Sequence, residues 1–322
     1  MGPWIFKNGG VWTMRLKTMQ LENILKSKIN SRKIIDDSKP DRAIEKIECS
    51  NKNILIKYGS DIDLQREMNI YEKVLNNSED IPVPKLLVSK KINKTYFLAM
   101  EWIDGIHPDF KNTVHIEKVF TSLGKWAANW SPKVEGYDYI TKETLSNFDM
   151  LNSLLKNNKY TLNQTLDHSL IDLLNECIQN RDNIIGYIKK LPLTLDPGDI
   201  SLHNFILNST GEIILIDFES CKVSPMVTLV EHLGEDYESI PHKEDDVFLA
   251  LNSYLNGWNK FSTIGIKWDD FIHCQFCSRV HYDIGKFNYW IRRILENKNV
   301  EETLGWIKQG HKQLQLLLKY NT

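Results

Sequence analysis

At 322 residues, 42% of them hydrophobic and 25% charged, the chain exceeds one average domain and reads as two packed lobes around one cleft. Forty basic against 42 acidic side chains leave a formal net charge of -2, so no overall field draws it to nucleic acid or to an acidic membrane surface. Five cysteines without regular spacing argue against a disulfide framework and for a reducing cytoplasm, and no run of about 18 apolar residues offers a membrane span.

Residues 1–19 mix Trp, Gly and Lys without a continuous apolar stretch. They are neither signal peptide nor membrane span, and are expected to be a disordered lead-in, with Met14 or Met19 as alternative starts. A short amphipathic helix fits residues 21–29. Strands are expected at 33–36, 43–49 and 54–58, separated by turn-rich pieces such as Asp37-Ser38-Lys39-Pro40-Asp41, which gives a meander.

Lys57 closes the apolar run Ile54-Leu55-Ile56, on the face that Leu55 shares. A lysine at a strand end is ordinarily just solvated. The helix expected over 62–75 changes that, because Leu64, Met68, Tyr71 and Leu75 recur on one face and Glu67 points into it. A carboxylate there needs a cation, and Lys57 is the nearest along the chain. Glu72 is the alternative partner, but its place after Tyr71 turns it to solvent.

The rigid connector Ile81-Pro82-Val83-Pro84 leads to strands at 86–89 and 95–102. Asp104-Gly105 then opens a mainly helical region. Helices are expected at 114–130, with Val119, Leu123, Trp126 and Ala127 on one face, and as two more within 142–156 and 162–190, ended by Pro192. After residue 220, helices are expected at 226–238, 243–256, 268–297 and 301–320.

Between them lies LDPGDISLHNFILNSTGEIILIDFES, residues 195–220. A polar loop feeds an apolar strand at 205–207, Asn208-Ser209-Thr210-Gly211 turns the chain, and a second apolar strand follows at 213–216. Antiparallel register sets Asn204 opposite Asp217 or one position from it, with cross-strand Cβ separations of roughly 5 Å. Asp199 stands in the loop that feeds the first strand. Taken singly, each is an ordinary turn or strand-end residue. Together they bring three oxygen-bearing side chains to one end of a hairpin, which suits a hard cation such as Mg²⁺ and a hydroxyl that must lose a proton.

Gly198, Asp199, Asn204, Asp217, Phe218 and Glu219 resemble the motifs of the aminoglycoside phosphotransferase and choline kinase group, small-molecule kinases with a protein-kinase-like fold. Pro197 departs from the pattern, standing where that group has a histidine, and Val223-Ser224-Pro225 replaces its Gly-Asp-Pro. The resemblance implies an α+β bilobal fold, with residues 20–103 as a small antiparallel sheet lobe bearing one helix and 104–322 as a larger helical lobe carrying the catalytic hairpin. It implies Asp199 as catalytic base, Asn204 and Asp217 as Mg²⁺ ligands, and Lys57 with Glu67 on the α and β phosphates of ATP or GTP. Backbone groups around Glu101, Trp102 and Ile103 would meet the adenine edge, with Met100 behind it. The first turn of the meander would cover the phosphates. No GxGxxG lies there, so Ser38 would offer its hydroxyl and amide, and an ordinary surface turn accounts for Ser38 equally well.

The acceptor would be a small hydroxyl compound. Glu231, Glu235, Asp236, Glu244, Asp245 and Asp246, with Trp258, Trp268, Tyr282, Tyr289 and Trp290, suit a cationic one such as an amino-sugar antibiotic or choline, though solvated faces and core aromatics explain the same residues. The expected protein is a cytoplasmic monomer or homodimer without nucleic-acid or membrane partners. The competing reading is a nucleotide-binding scaffold without turnover, motivated by Pro197 and the missing Gly-rich turn. A protein kinase is disfavoured, because an Ala-Pro-Glu segment is absent as well. His203 reads as a loop histidine bonded to backbone. Cys274 and Cys277, near His273 and His281, read as buried free thiols rather than a zinc site.

Overall fold

The computed structural model describes residues 4–6, 12–14, 16–39, 41–77, 82–134, 145–235 and 239–319. The chain folds as two compact units: residues 1–122, 197–222 and 237–240 form the first, and 123–196, 223–236 and 241–322 the second. The hairpin segment therefore groups with the N-terminal sheet.

In the first unit β1 (Trp4–Phe6) pairs antiparallel with β2 (Trp12–Met14), so part of the segment expected as an unstructured lead-in is paired strand. Its remaining residues up to 15 lie outside the described ones. Helix α1 (Thr18–Leu25) ends where Lys26 turns left-handed at φ 52°, earlier than expected, and residue 29 already belongs to the next strand. Strands β3 (Ile29–Asp36), β4 (Arg42–Cys49) and β5 (Asn53–Gly59) form the meander. Helix α2 (Ile62–Lys73) follows, its first turn capped by the Asp61 carboxylate accepting from the Leu64 amide at 2.8 Å. Strands β6 (Leu86–Ile92) and β7 (Thr95–Glu101) complete an antiparallel sheet in the order β3-β4-β5-β7-β6.

Period-2 alternation explains how this sheet is filled. Ala43, Ile47 and Cys49 from β4 and Ile54, Ile56 and Tyr58 from β5 bury one face against Leu21 and Leu25 of α1. Glu45 falls on the same face and is satisfied by Arg32, which donates to both of its oxygens at 2.8 Å, and by the Tyr58 hydroxyl. Lys57 projects from the other face, level with Leu98 of β7.

Strand β8 (Gly105–Ile106) precedes α3 (Thr113–Trp130), along which the chain passes from the first unit into the second. The second unit is mainly helical. Where two helices were expected up to residue 190 there are four: α4 (Asn147–Asn157), α5 (Lys159–Thr165), α6 (His168–Gln179) and α7 (Arg181–Ile188). The break has a local cause, since Asp167 accepts from the Ser169 amide at 2.8 Å and starts a new helix. Strand β9 (Leu193–Asp196) leads into the hairpin of β10 (Phe205–Asn208) and β11 (Ile213–Leu215), and β8 adds to β10 as a third strand.

Strand β12 (Lys222–Pro225) pairs with β9, an element not expected from its polar, Pro-terminated sequence. The helix expected at 226–238 is a 3₁₀ turn over Met226–Val230 followed by turns, with residues 236–238 outside the described ones. Helices α8 (Glu244–Phe261), α9 (Trp268–Leu295) and α10 (Val300–Lys319) fall close to their expected places. Helix α9 packs against α4, α7 and α10 and is the axis of this unit. None of the described helices is long and apolar enough to cross a membrane.

Candidate active site

Observed register pairs Phe205 with Leu215, Ile206 with Ile214 and Leu207 with Ile213. The Ile216 amide then donates to the Asn204 carbonyl at 2.9 Å, which places Asp217 one step beyond the residue facing Asn204. At Asp217 the backbone turns left-handed, φ 65°, a conformation that carboxylate and amide residues tolerate better than branched ones. Strand pairing thus stops at Asp217, and its side chain leaves the ladder.

That side chain meets the sheet. Lys57 Nζ donates to Asp217 Oδ1 at 3.0 Å and to both oxygens of Glu67 at 2.8 Å. Glu67 is fully buried and Lys57 is 6% exposed, while the Asp217 side chain keeps 34% of its surface. The Phe218 amide also donates to Glu67, at 3.4 Å, and the Phe218 ring stands edge-on to Tyr71 of α2 with centroids 5.7 Å apart. Sheet, helix and hairpin are therefore tied at one point. Glu72 is not the partner: it faces outward and accepts from the Ser89 hydroxyl at 2.6 Å.

Two carboxylates share one ammonium here, and the surplus negative charge shows in the titration of the group. Burial works against the Lys57 ammonium, but Glu67 and Asp217 outweigh it and raise its pKa above the ordinary lysine value. Burial likewise pushes Glu67 upward, with Lys57 opposing and Asp217 adding to the rise. The Tyr71 hydroxyl, buried without a partner, is held protonated by burial and then by the same two carboxylates. A further cation beside Asp217 would offset the surplus carboxylate charge.

Asn204 has the right chemistry to help hold one. Its Nδ2 donates to the Asp199 carbonyl at 3.1 Å, so its Oδ1 is left as an acceptor that meets no donor among the described residues. The second oxygen of Asp217 is equally uncommitted among them. Oxygen-only donors beside surplus negative charge fit a hard cation such as Mg²⁺. Among the described residues no three His, Cys, Asp or Glu side chains form a cage by themselves, so such an ion would complete its shell with water and phosphate oxygens.

Asp199 is exposed in the loop before β10, where its Oδ1 accepts from the Ser201 amide at 2.9 Å and thereby fixes the loop turn. Gly198 is left-handed, φ 95°, and a Cβ there would stand 2.4 Å from the Ser220 carbonyl, so only glycine lets the two ends of this segment approach. His203 is exposed and lies 5.9 Å, ring to ring, from His107. It is His107, not His203, whose Nδ1 lies 2.9 Å from the Phe205 carbonyl.

Ser38 stands in the turn after β3. Its amide donates to Asp36 Oδ1 at 2.9 Å, and its amide and hydroxyl together hold the Asp36 carboxyl below the usual range. At the end of β7, the Glu101 amide donates to the Lys85 carbonyl and the Trp102 amide to the Asn53 carbonyl, whereas the Ile103 amide meets no acceptor among the described residues. Arg42, missed from sequence, begins β4 and pairs with Glu219 just past Asp217, with Asp61 at 3.9 Å. No periodicity marks it, because its partner is 177 residues away.

The proposed acceptor residues lie in the second unit, and most are already occupied. Glu235 is buried and paired with Arg279 and with Lys286, the latter at 2.7 Å. Glu231 accepts from the Ser278 hydroxyl at 2.7 Å. The faces of Tyr282 and Trp290 hold the protein's own Lys286 ammonium, 5.5 and 5.3 Å from their centroids, and Tyr289 faces Arg293 at 5.7 Å. Trp258 is core. Glu244, Asp245 and Asp246 form the first turn of α8, where they complement the helix dipole, and Asp236 lies outside the described residues.

The sequence matches no protein-family model and no curated protein. Solved structures do share the fold. A spectinomycin phosphotransferase in complex with ADP and spectinomycin superposes with a TM-score of 0.58 at 13% identity, covering 94% of this chain and 98% of its own. An aminoglycoside phosphotransferase from Alicyclobacillus acidocaldarius gives 0.61 at 12% identity, covering 91% of each chain. A choline kinase from Cryptosporidium parvum gives 0.56 at 14% identity, covering 90% of this chain and 89% of its own. The chain therefore has the protein-kinase-like α+β fold that these proteins share.

Proposed function

We propose that this protein is a small-molecule kinase that transfers the γ-phosphate of ATP or GTP to a hydroxyl of a small acceptor. In this reading the sheet unit up to residue 103 binds nucleotide, and residues 104–322 supply the catalytic hairpin and the acceptor wall. The observation that carries it is the Lys57 ammonium held by Glu67 and Asp217 at once, with the free amide oxygen of Asn204 beside them.

Lys57, fixed in direction by Glu67, grips the α and β phosphates. Asp217 and Asn204 hold Mg²⁺, whose charge offsets the negative charge that spreads over the γ-phosphate. Asp199 accepts the hydroxyl proton as the acceptor oxygen bonds to the γ-phosphorus and the bond from that phosphorus to the bridging oxygen of the leaving diphosphate breaks. The Glu101 carbonyl and the Ile103 amide take the purine edge. Ser38 meets a phosphate only by releasing Asp36. A cationic acceptor, an amino-sugar antibiotic or a choline-like amine, is the class that the acidic run Glu244, Asp245 and Asp246 favours, since Glu231, Glu235 and the aromatic faces are engaged within the protein. The protein would work in the cytoplasm as a monomer or homodimer.

The test is transfer of label from γ-labelled ATP and GTP, with Mg²⁺, onto amino-sugar antibiotics, choline-like amines and neutral sugars. The expected result is a phosphate ester with at least one class, and a loss of roughly 10²- to 10⁴-fold in Asp199→Asn while nucleotide binding persists. Nucleotide binding without transfer to any hydroxyl would establish the scaffold reading instead. An Asp199→Asn variant of full activity would remove Asp199 from the chemistry.

A further inference from the structure

We propose that the second unit holds a separate binding site for a small anionic molecule with a flat or apolar body. It is a cavity of about 900 Å³ between the end of α7 and the loop that enters α9. All of its lining residues belong to the second unit, whereas Lys57, Glu67, Asp199, Asn204 and Asp217 belong to the first, so the site goes beyond the kinase reading and does not depend on it.

Lys189, Lys190 and Lys267 bring three ammonium groups to this concavity, and none of them pairs with a carboxylate among the described residues. Asp270 is the acidic side chain in the lining, which leaves an excess of positive charge. Lys189 and Lys190 follow the C-terminus of α7, and there a cation is explained by the helix dipole alone. Lys267 is not: it occupies the N-cap of the 28-residue α9, whose first turn carries Asp269 and Asp270 to complement the dipole. An anionic headgroup in the cavity would answer the three lysines.

Part of the wall is aromatic. The Tyr187 and His273 rings meet edge-on with centroids 4.1 Å apart, and Lys190 Nζ, 3.7 Å from the Tyr187 centroid, already covers one face of that ring. Ile264, which is 54% exposed, and Ile266 form the opposite rim. The lining mixes polar and apolar groups, and the volume is in the range of sites for molecules of drug or metabolite size. Cys274 also lines it, and burial holds its thiol above the usual range against the pull of Lys190.

The test is isothermal titration of the full chain with 1-naphthyl phosphate, in the presence of Mg²⁺ and a saturating non-hydrolysable ATP analogue that fills the proposed nucleotide site. Inorganic phosphate, 1-naphthol and 1-naphthoate serve as headgroup-only, body-only and carboxylate arms. The proposal expects saturable binding of at least one anionic aromatic, tighter than inorganic phosphate or 1-naphthol, weakened about tenfold or more by Lys190→Glu with Lys267→Glu and reduced by added salt. These side chains are exposed, so the variants should keep the melting profile of the parent. Lys267→Gln alone, with a smaller loss, provides the check should the double variant unfold. No saturable binding, or binding unchanged by the substitutions, would overturn the proposal.

Discussion

Each unit buries a cluster of charges, and the two clusters are built to opposite rules. In the second unit Arg279 and Lys286 face Glu235 and Asp283: two cations and two carboxylates, joined by Arg279–Asp283 at 3.3 Å and Lys286–Asp283 at 3.2 Å as well as by the contacts to Glu235. Arg279 also donates to the Leu233 carbonyl at 2.6 Å. That cluster is balanced and closed. In the first unit two carboxylates share Lys57, one of them is a third exposed, and the nearby amide oxygen of Asn204 has no donor among the described residues. Desolvation is costly enough that an imbalance of this kind persists only where something else supplies the missing charge. The balanced cluster is architecture, and the unbalanced one is the centre of the proposed site.

The sharpest way to break this contrast is to remove one cation from each cluster. Arg279→Met leaves Glu235 and Asp283 with Lys286 alone and should lower the unfolding free energy by about 3–5 kcal/mol, the usual cost of stranding a buried charge. Lys57→Met should cost less stability, about 1–3 kcal/mol, because the Asp217 side chain keeps a third of its surface in solvent, where the charge left behind stays partly hydrated. Chemical denaturation of both variants measures the difference. Equal losses would mean that the two clusters do the same work.

Ligand response separates them next. Mg²⁺ with nucleotide at a hundred times its dissociation constant should stabilise the parent by about 2.7 kcal/mol. Asp217→Asn should lose most of that gain, yet be as stable as the parent without ligand, since the substitution removes surplus negative charge. A thermal melt with and without nucleotide and Mg²⁺ reads both. An Asp217→Asn protein that is markedly unstable in the absence of ligand would make Asp217 a structural partner of Lys57 and nothing more.

The unbalanced cluster was the more legible of the two. Glu67 announces itself as a carboxylate on an apolar helical face, and hairpin register brings Asn204 near Asp217 by counting residues. The balanced cluster carries no such mark. Glu235 follows a 3₁₀ turn, and its partners lie 44 and 51 residues further on, so they read as ordinary charges along α9. The same distance hid Arg42. Strand β12 was missed because Ser224 and Pro225 give no alternation, and its pairing with β9 depends on tertiary placement. Of the aromatic residues assigned to an acceptor wall, Tyr282 and Trp290 face the protein's own Lys286 and Tyr289 faces Arg293, pairings that composition alone does not reveal.

Burial has a third outcome besides pairing and ligand capture, which is neutralisation, and the thiols of the second unit display it. Cys177 is 2% exposed, and burial pushes it from an ordinary value of 9.0 up to about 12. Below 9.0 both folded and unfolded chains keep this proton, and the thiol contributes its full share of stability. Above 9.0 the unfolded chain loses the proton while the folded one holds it until about 12, so stability should fall as pH rises through that window. The loss at pH 10 should be about 1.4 kcal/mol for this residue. Cys177→Ala, whatever its baseline cost, should show a shallower decline between pH 8 and pH 10 in urea unfolding. Parallel declines in parent and variant would show that Cys177 already ionises in the folded state, and that burial without a partner is not what sets its charge.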